Sequence, residues 1–386
     1  MTARILKYCN VCLLPNSKPD LTFSTDGVCN ACTNFQSRKS VDWDSRQEEF
    51  LKLVEQYRSK DGSCWDCIVP VSGGKDSTYQ VLKLLELGLN PLCVTSTTCD
   101  LSNLGRANIE NIKNLGVDYI EFSPKPTVRR TLNRIGLETV GDISWPEHVG
   151  IFTIPVRAAV EYSVPLIIWG ENSQNEYGGP ASSVNNKILN RAWLEEFGGL
   201  LGLRVGDLTQ SWGLTARDLI PYSYPADEDL KKVGVTGLFL GHFFEWDGLS
   251  NALIAQANGF STYSKTVEGS MVNYENLDNY QTGIHDYFKY LKFGFGRASD
   301  IASLHIRRKR ISRNQGIRIV RENEGMFPWE YLGKSLETIL APLDLSVDEF
   351  EGICDRFTNK RIFEIDSDGR LKKDKHKNLT KQVYPK

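Results

Sequence analysis

The sequence predicts an α/β fold: a doubly wound parallel sheet with an N-terminal cysteine ribbon before it and a mainly helical region after it. Three observations lead there. From residue 67 to about 240, short apolar or β-branched runs alternate with helical patterns. Ahead of them, two Cys-x-x-Cys pairs stand in a stretch too poor in apolar residues to build a core. After Gly248 the alternation stops and amphipathic helical spacing takes over.

Residues 1–40 are expected to be a separate unit. Cys9-Asn-Val-Cys12 and Cys29-Asn-Ala-Cys32 are two knuckles with sixteen residues between them. Four thiolates on one tetrahedral Zn²⁺ would supply the folding energy this segment lacks, and a closed Cys₄ site is structural. Spacing alone does not separate zinc from an iron–sulfur cluster. Residues 41–64 read as a connecting helix, with Trp43, Phe50, Leu51 and Val54 on one side and Asp42 or Asp44 as its cap. Cys64 and Cys67 make a third Cys-x-x-Cys, but Cys67 falls on a strand and reads as a small buried residue.

Residues 65–247 carry the sheet. Ile68, Val69 and Val71 form a strand that runs into Ser72-Gly73-Gly74-Lys75-Asp76-Ser77, and residues 78–87 follow as a helix. Strand, glycine-rich turn and helix together make a phosphate-binding layout. Glycines admit an anion close to the backbone, the helix amides point at it, and Lys75 adds charge. It is not a Walker loop: Val69 stands where the first Gly belongs, and Asp76 replaces Ser or Thr. Further strands are expected at 92–96, 119–122, 164–169 and 236–240, with helices at 108–115 and 152–162. Ligands of such sheets sit at the carboxyl ends of the strands, which gathers 72–77, 97–105, 170–179 and 241–247 around one crevice. Glu171 and Glu176 are the candidates there for holding Mg²⁺ beside phosphates. Of the histidines, His242 is the best placed for acid–base work, and Lys75, Asp76, Glu176 and His242 are the candidate catalytic residues. Residues 180–229 read as an insertion, a lid or a substrate wall at the crevice mouth.

Residues 248–386 read as mainly helical, with amphipathic stretches at 278–290 and 298–310. Gly294 and Gly296 mimic a dinucleotide fingerprint, but Ser299 takes the third position and no strand precedes it. Arg297, His305, Arg307 and Arg308 are the candidate substrate-binding residues, an anion site for a negatively charged substrate. The polar, basic tail 370–386 is expected to fray or to pack late.

A net charge of −2 supplies no field for nucleic acid, and no apolar stretch could span a bilayer. The stretch from Met1 to Cys9 has no apolar core of signal-peptide length, so no signal peptide is expected, and nine cysteines, an odd number, suit metal in a reducing cytosol. The expected place is the cytoplasm.

The run from Ser72 to Ser77 resembles the loop of the PP-loop ATP pyrophosphatases, which split ATP between the α and β phosphates. Taken with the knuckles, Trp-Gly-Glu-Asn, Gly-His-Phe-Phe-Glu-Trp-Asp and Phe-Gly-Phe-Gly-Arg-Ala-Ser-Asp, the chain resembles the bacterial N-acetyl sugar amidotransferases. That resemblance implies ATP, Mg²⁺ and a structural Zn²⁺, with Ser72, Gly73, Gly74, Lys75, Asp76 and Ser77 as the pyrophosphate loop and Cys9, Cys12, Cys29 and Cys32 as metal ligands. It further implies that the N-acetyl group of a nucleotide-linked sugar, commonly a uronate of lipopolysaccharide O-antigen, becomes an acetamidino group. Thr2 stands where a fused glutaminase would need cysteine, and there is no Gly-x-Ser-x-Gly elbow, so ammonia is expected from a separate glutaminase subunit, alongside a cyclase-like one. Two other readings stand beside it. One is a tRNA-thiolating PP-loop enzyme, with Cys99 or Cys64 as sulfur carrier and 307–313 as RNA surface. The other is a non-catalytic zinc-ribbon interaction protein.

Overall fold

The computed structural model describes residues 6–171, 188–189, 203, 205–206, 208 and 212–386. Its centre is a sheet in the order β3-β2-β1-β4-β6-β5, from β1 (Cys67–Pro70), β2 (Pro91–Ser96), β3 (Asp118–Phe122), β4 (Leu166–Trp169), β5 (Ile188–Leu189) and β6 (Thr236–Phe239). Five strands run parallel, and β5 closes the edge antiparallel to β6.

Side-chain alternation divides the core. Cys67, Val69 and Val71 point to the face covered by α2 (Trp43–Val54), which follows the ribbon's α1 (Asn30–Ser37), and by α3 (Lys75–Glu86), where Phe50, Val81 and Leu84 lie. Ile68, Leu92, Val94 and Ile167 point the other way, onto α6 (Trp145–Glu161), through Ile154 and Ala159. Strands buried on both faces read as continuous apolar runs, which is why they were legible. The chain leaves central β1 toward β2 and later returns to its other side with β4. The switch point therefore lies at the carboxyl ends of β1 and β4, where an open α/β sheet binds ligands.

Most elements fall where the pattern puts them, but α3 begins at Lys75 and α6 already at Trp145, with Pro155 inside it. The helix α5 (Pro126–Val140) was not expected. Its inward face mixes Val128, Leu132 and Ile135 with the buried polar Arg129 and Asn133, which masks the apolar period.

In the C-terminal region the helices Thr282–Phe293 and Val347–Phe357 pack together around Phe288, Leu291 and Phe350, while Arg297–Arg307 and Arg313–Asn323 pack on each other through Ala298, Ala302, Ile317 and Val320. The cysteine ribbon leans on it. Phe295 enters the ribbon's core, Ser303 Oγ accepts from the Leu13 amide at 3.1 Å, and Arg313 donates to the Cys9 and Cys12 carbonyls, both at 3.2 Å. The tail does not fray. Leu379 is buried, and Lys381, also buried, donates to the Gly294 carbonyl at 3.1 Å. Among the described residues, no helix is long and apolar enough to cross a membrane.

Candidate functional site

The turn after β1 is shaped by two glycines. Gly73 has φ +86°, a left-handed conformation that L side chains rarely adopt, and its α-carbon sits against α4 (Asn103–Lys113): an added Cβ would come within 2.9 Å of Ile109 Cγ1. Gly74 caps α3 with φ −75°, and its amide donates to Ser72 Oγ at 3.3 Å. The Ser77 and Thr78 hydroxyls both donate to the Gly74 carbonyl at 3.0 Å, fixing the first turn. The positive end of α3 therefore opens at the carboxyl edge of β1.

Lys75 is buried beside two carboxylates, with Nζ 2.5 Å from Asp76 Oδ2 and 2.9 Å from Glu275 Oε1. Burial by itself would lower its pKa, but Asp76 and Glu275 together outweigh that and hold it above the ordinary lysine value. Asn251, on the helix Gly248–Ala257 that packs against α3, donates to Asp76 Oδ1 at 2.8 Å.

These groups face a cavity of about 220 Å³. Lys75, Asp76 and Glu171 line it together with Glu275, Arg297, His305, Arg308 and Arg310. The arginines are tied to acids. Arg297 holds Asp286 at 3.0 and 3.2 Å, Arg308 Nε lies 3.1 Å from Asp247, and Arg310 grips the same Asp247 with both terminal nitrogens. Burial would raise the Asp247 carboxyl, yet Arg310 and Arg308 pull it below the usual range. His305 is lowered, by burial first and then by Arg310, which favours the neutral imidazole.

Among the residues expected from sequence, Lys75, Asp76, Glu171, Arg297, His305 and Arg308 thus share one cavity. Glu176 lies outside the described residues. His242 sits on the short helix Leu240–Phe243 with its ring 4.9 Å from that of Phe243, and its carbonyl accepts from Arg46 of α2 at 2.6 Å, away from the cavity lining. Arg307 is buried on the ribbon side. There hydrogen bonds from Cys29 and Cys32 lower the Cys12 thiol below its ordinary value, and the Arg307 charge adds to it. Glu275, Asn251 and Asp286 were not anticipated: each is a single polar residue with no motif around it. Arg310 and Asp247 stood inside runs already singled out, so only their pairing is new.

The four ribbon cysteines converge. Cys9 Sγ lies 3.9 Å from Cys32 Sγ, Cys12 Sγ lies 3.6 Å from Cys29 Sγ, and all four sulfurs are within 4.8 Å of one another. A tetrahedron with Zn–S bonds of about 2.3 Å has edges of about 3.8 Å. A cluster would put each thiolate on its own iron and spread the sulfurs further. The donor set therefore fits one ion, and the backbone amides of Val11, Cys12 and Cys29, at 3.3–3.5 Å from Cys9 Sγ, would stabilise its thiolate.

Residues 261–377 match the family described as LPS biosynthesis protein WbpG-like, C-terminal domain. The match spans 117 of the chain's 386 residues. The match agrees with the resemblance to the N-acetyl sugar amidotransferases drawn from the motifs, and this domain supplies Glu275, Arg297, His305, Arg308 and Arg310 to the cavity. No curated protein sequence matches the chain. Among solved structures, U34-tRNA thiolase NcsA from Methanococcus maripaludis, with its [4Fe-4S] cluster, aligns over 87% of this chain and 95% of its own. The identity is 11% and the TM-score 0.22, too low to say anything of this chain.

Proposed function

We propose that this protein is an ATP-dependent amidotransferase of surface polysaccharide biosynthesis, acting on the N-acetyl group of a nucleotide-linked sugar. The observation that carries the reading is the shared cavity: Lys75 and Asp76 of the glycine loop line the same space of about 220 Å³ as Arg297, His305 and Arg308 of the residues that match the WbpG-like model.

The chemistry follows from what an amide lacks. Its carbonyl carbon is a weak electrophile, and its oxygen leaves poorly. The amide oxygen attacks the α-phosphorus of ATP, the bond to the β-phosphate oxygen breaks, and pyrophosphate departs. Ammonia then adds to the imidate carbon, AMP leaves with the oxygen, and a proton is lost to give the amidine. Lys75 and the amides opening α3 would stabilise the charge that develops on the departing pyrophosphate. Mg²⁺ would neutralise part of the triphosphate charge, and Glu171, Asp76 and Glu275 are the carboxylates placed to hold it. Arg308 and Arg310 would meet the negative charges of the nucleotide sugar.

The protein would take ammonia from a separate glutaminase subunit, because free ammonia at neutral pH is mostly protonated. Sulfur transfer finds less support. Burial, with Glu147 adding, pushes the Cys99 thiol up to about 11, and the net charge of −2 suits RNA poorly. The test supplies ATP, ammonium at alkaline pH and a nucleotide-linked N-acetyl sugar, and reads products by chromatography and mass spectrometry. AMP, pyrophosphate and a sugar lightened by exchanging O for NH are expected. ADP with orthophosphate, or a sulfur-bearing tRNA, would overturn the reading.

A further inference from the structure

A second convergence of ligand atoms lies away from the ribbon. Asp142 follows α5, His148 is on the first turns of α6, and His285 comes from the helix Thr282–Phe293 of the WbpG-like domain. His285 Nδ1 is 2.7 Å from Asp142 Oδ1, and His148 Nδ1 is 3.1 Å from Asp142 Oδ2. One ligand atom from each residue lies within 4.8 Å of the others, and the two rings stand 4.9 Å apart at 79°.

The backbone holds this arrangement. Gly141 takes φ +62°, and an added Cβ there would come within 2.8 Å of Phe357 and 2.9 Å of Lys292. Gly136 is pressed against the Asp142 carbonyl, at 2.4 Å from the position of an added Cβ. The Ser144 amide donates to Asp142 Oδ1 at 3.0 Å, orienting the carboxylate from behind, and Lys292 donates to the Val140 carbonyl at 2.6 Å. Asp142 is 2% exposed, while the histidines are about a quarter exposed, which leaves a path for an ion to enter.

We propose that Asp142, His148 and His285 form a second metal site, for a first-row divalent cation. Two imidazoles and one carboxylate on one face of an ion is a recurrent binding set that leaves coordination positions open. Ligands held at about 2.1 Å and at right angles stand about 3.0 Å apart, and the two histidine–carboxylate separations, one to each oxygen of Asp142, lie on either side of that value. The ion would pin the connection between α5 and α6 to the helix that carries Asp286, the partner of Arg297 in the cavity wall. It would thus couple the sheet to the WbpG-like domain. This assignment does not depend on the reaction proposed above.

The experiment titrates the purified full chain with Co²⁺ alone, followed by absorbance and calorimetry. We expect one equivalent beyond any at the cysteines, with visible d–d bands but no thiolate charge transfer, and a rise in unfolding temperature. His148→Ala and His285→Ala should each lose that equivalent and the temperature shift while retaining the thiolate bands. A wild-type spectrum with thiolate bands only, or an equivalent that survives in both variants, would overturn the assignment. If the variants fail to fold, the wild-type stoichiometry and spectrum decide it alone.

Discussion

Replacing Gly73 with alanine tests the loop geometry directly. The left-handed backbone at φ +86° costs a residue bearing a Cβ about 1–2 kcal/mol. The same Cβ would lie 2.9 Å from Ile109 Cγ1 and 3.1 Å from the Ile109 backbone nitrogen. A helix backbone cannot rotate aside as a side chain can, so overpacking adds about 1–3 kcal/mol. The sum is about 2–5 kcal/mol. Gly74 is the internal control: its φ is −75°, and an added Cβ would meet only Ser72 Oγ at 3.3 Å. Gly74→Ala also restrains the unfolded chain, so it should be neutral within about 1 kcal/mol. Urea unfolding followed by tryptophan fluorescence reads both. Gly73→Ala should lower the midpoint by about 1 M or more at unchanged slope, and Gly74→Ala should barely move it. Equal midpoints for Gly73→Ala and wild type, or a larger loss at Gly74, would refute the reasoning.

Other substitutions test other parts. Cys29→Ser should reduce zinc from one per chain and cut soluble yield more than it alters the activity of what survives; full zinc by elemental analysis would contradict the ribbon site. Asp247→Asn removes the partner of Arg308 and Arg310 and should destabilise by about 1–3 kcal/mol near neutrality, a range discounted because Arg310 is partly exposed. The Asp247 carboxyl titrates lower folded than unfolded, so its contribution is complete above the unfolded value of about 4 and is lost as pH falls through the folded one. The gap between wild type and variant should therefore close in acid, and a gap independent of pH would remove the assignment. Glu275→Gln should raise the Mg²⁺ concentration needed for half-maximal activity several-fold, and an unchanged requirement would mean that Glu275 is not near the ion.

Much of this was legible because the physics was local. Strands such as Ile68–Val71 in β1 and its extension are apolar on both faces, and the glycine pair that follows marks a close approach whatever lies opposite. The cysteine knuckles carry their own spacing. What stayed hidden depends on distant packing. Glu275 pairs with Lys75 across two hundred residues of chain, and Asp142 meets His285 from another element altogether. His242 follows β6 on the short helix Leu240–Phe243, but it is not among the residues that line the cavity. Arg307 and Arg308 are neighbours in sequence, yet helical geometry sends one toward the ribbon and the other into the cavity.

The paired charges of the cavity bear on how a polyanion would enter it. Lys75 lies against Asp76 and Glu275, Arg297 against Asp286, and Arg308 and Arg310 against Asp247. A bare triphosphate would have to draw these cations from carboxylates already in place, and each carboxylate left behind in a buried wall would be costly. An anion that arrives with a divalent cation avoids that cost. Lys75 can turn from carboxylate to phosphate while Asp76, Glu275 and Glu171 turn to the ion, so that every charge keeps an opposite neighbour. On the proposed reading, then, the metal and the nucleotide bind as one unit. The affinity for ATP without Mg²⁺ should fall far below that of the complex, beyond what screening of free phosphate charge accounts for. Glu275→Gln, which leaves Lys75 less tightly held, should narrow that difference.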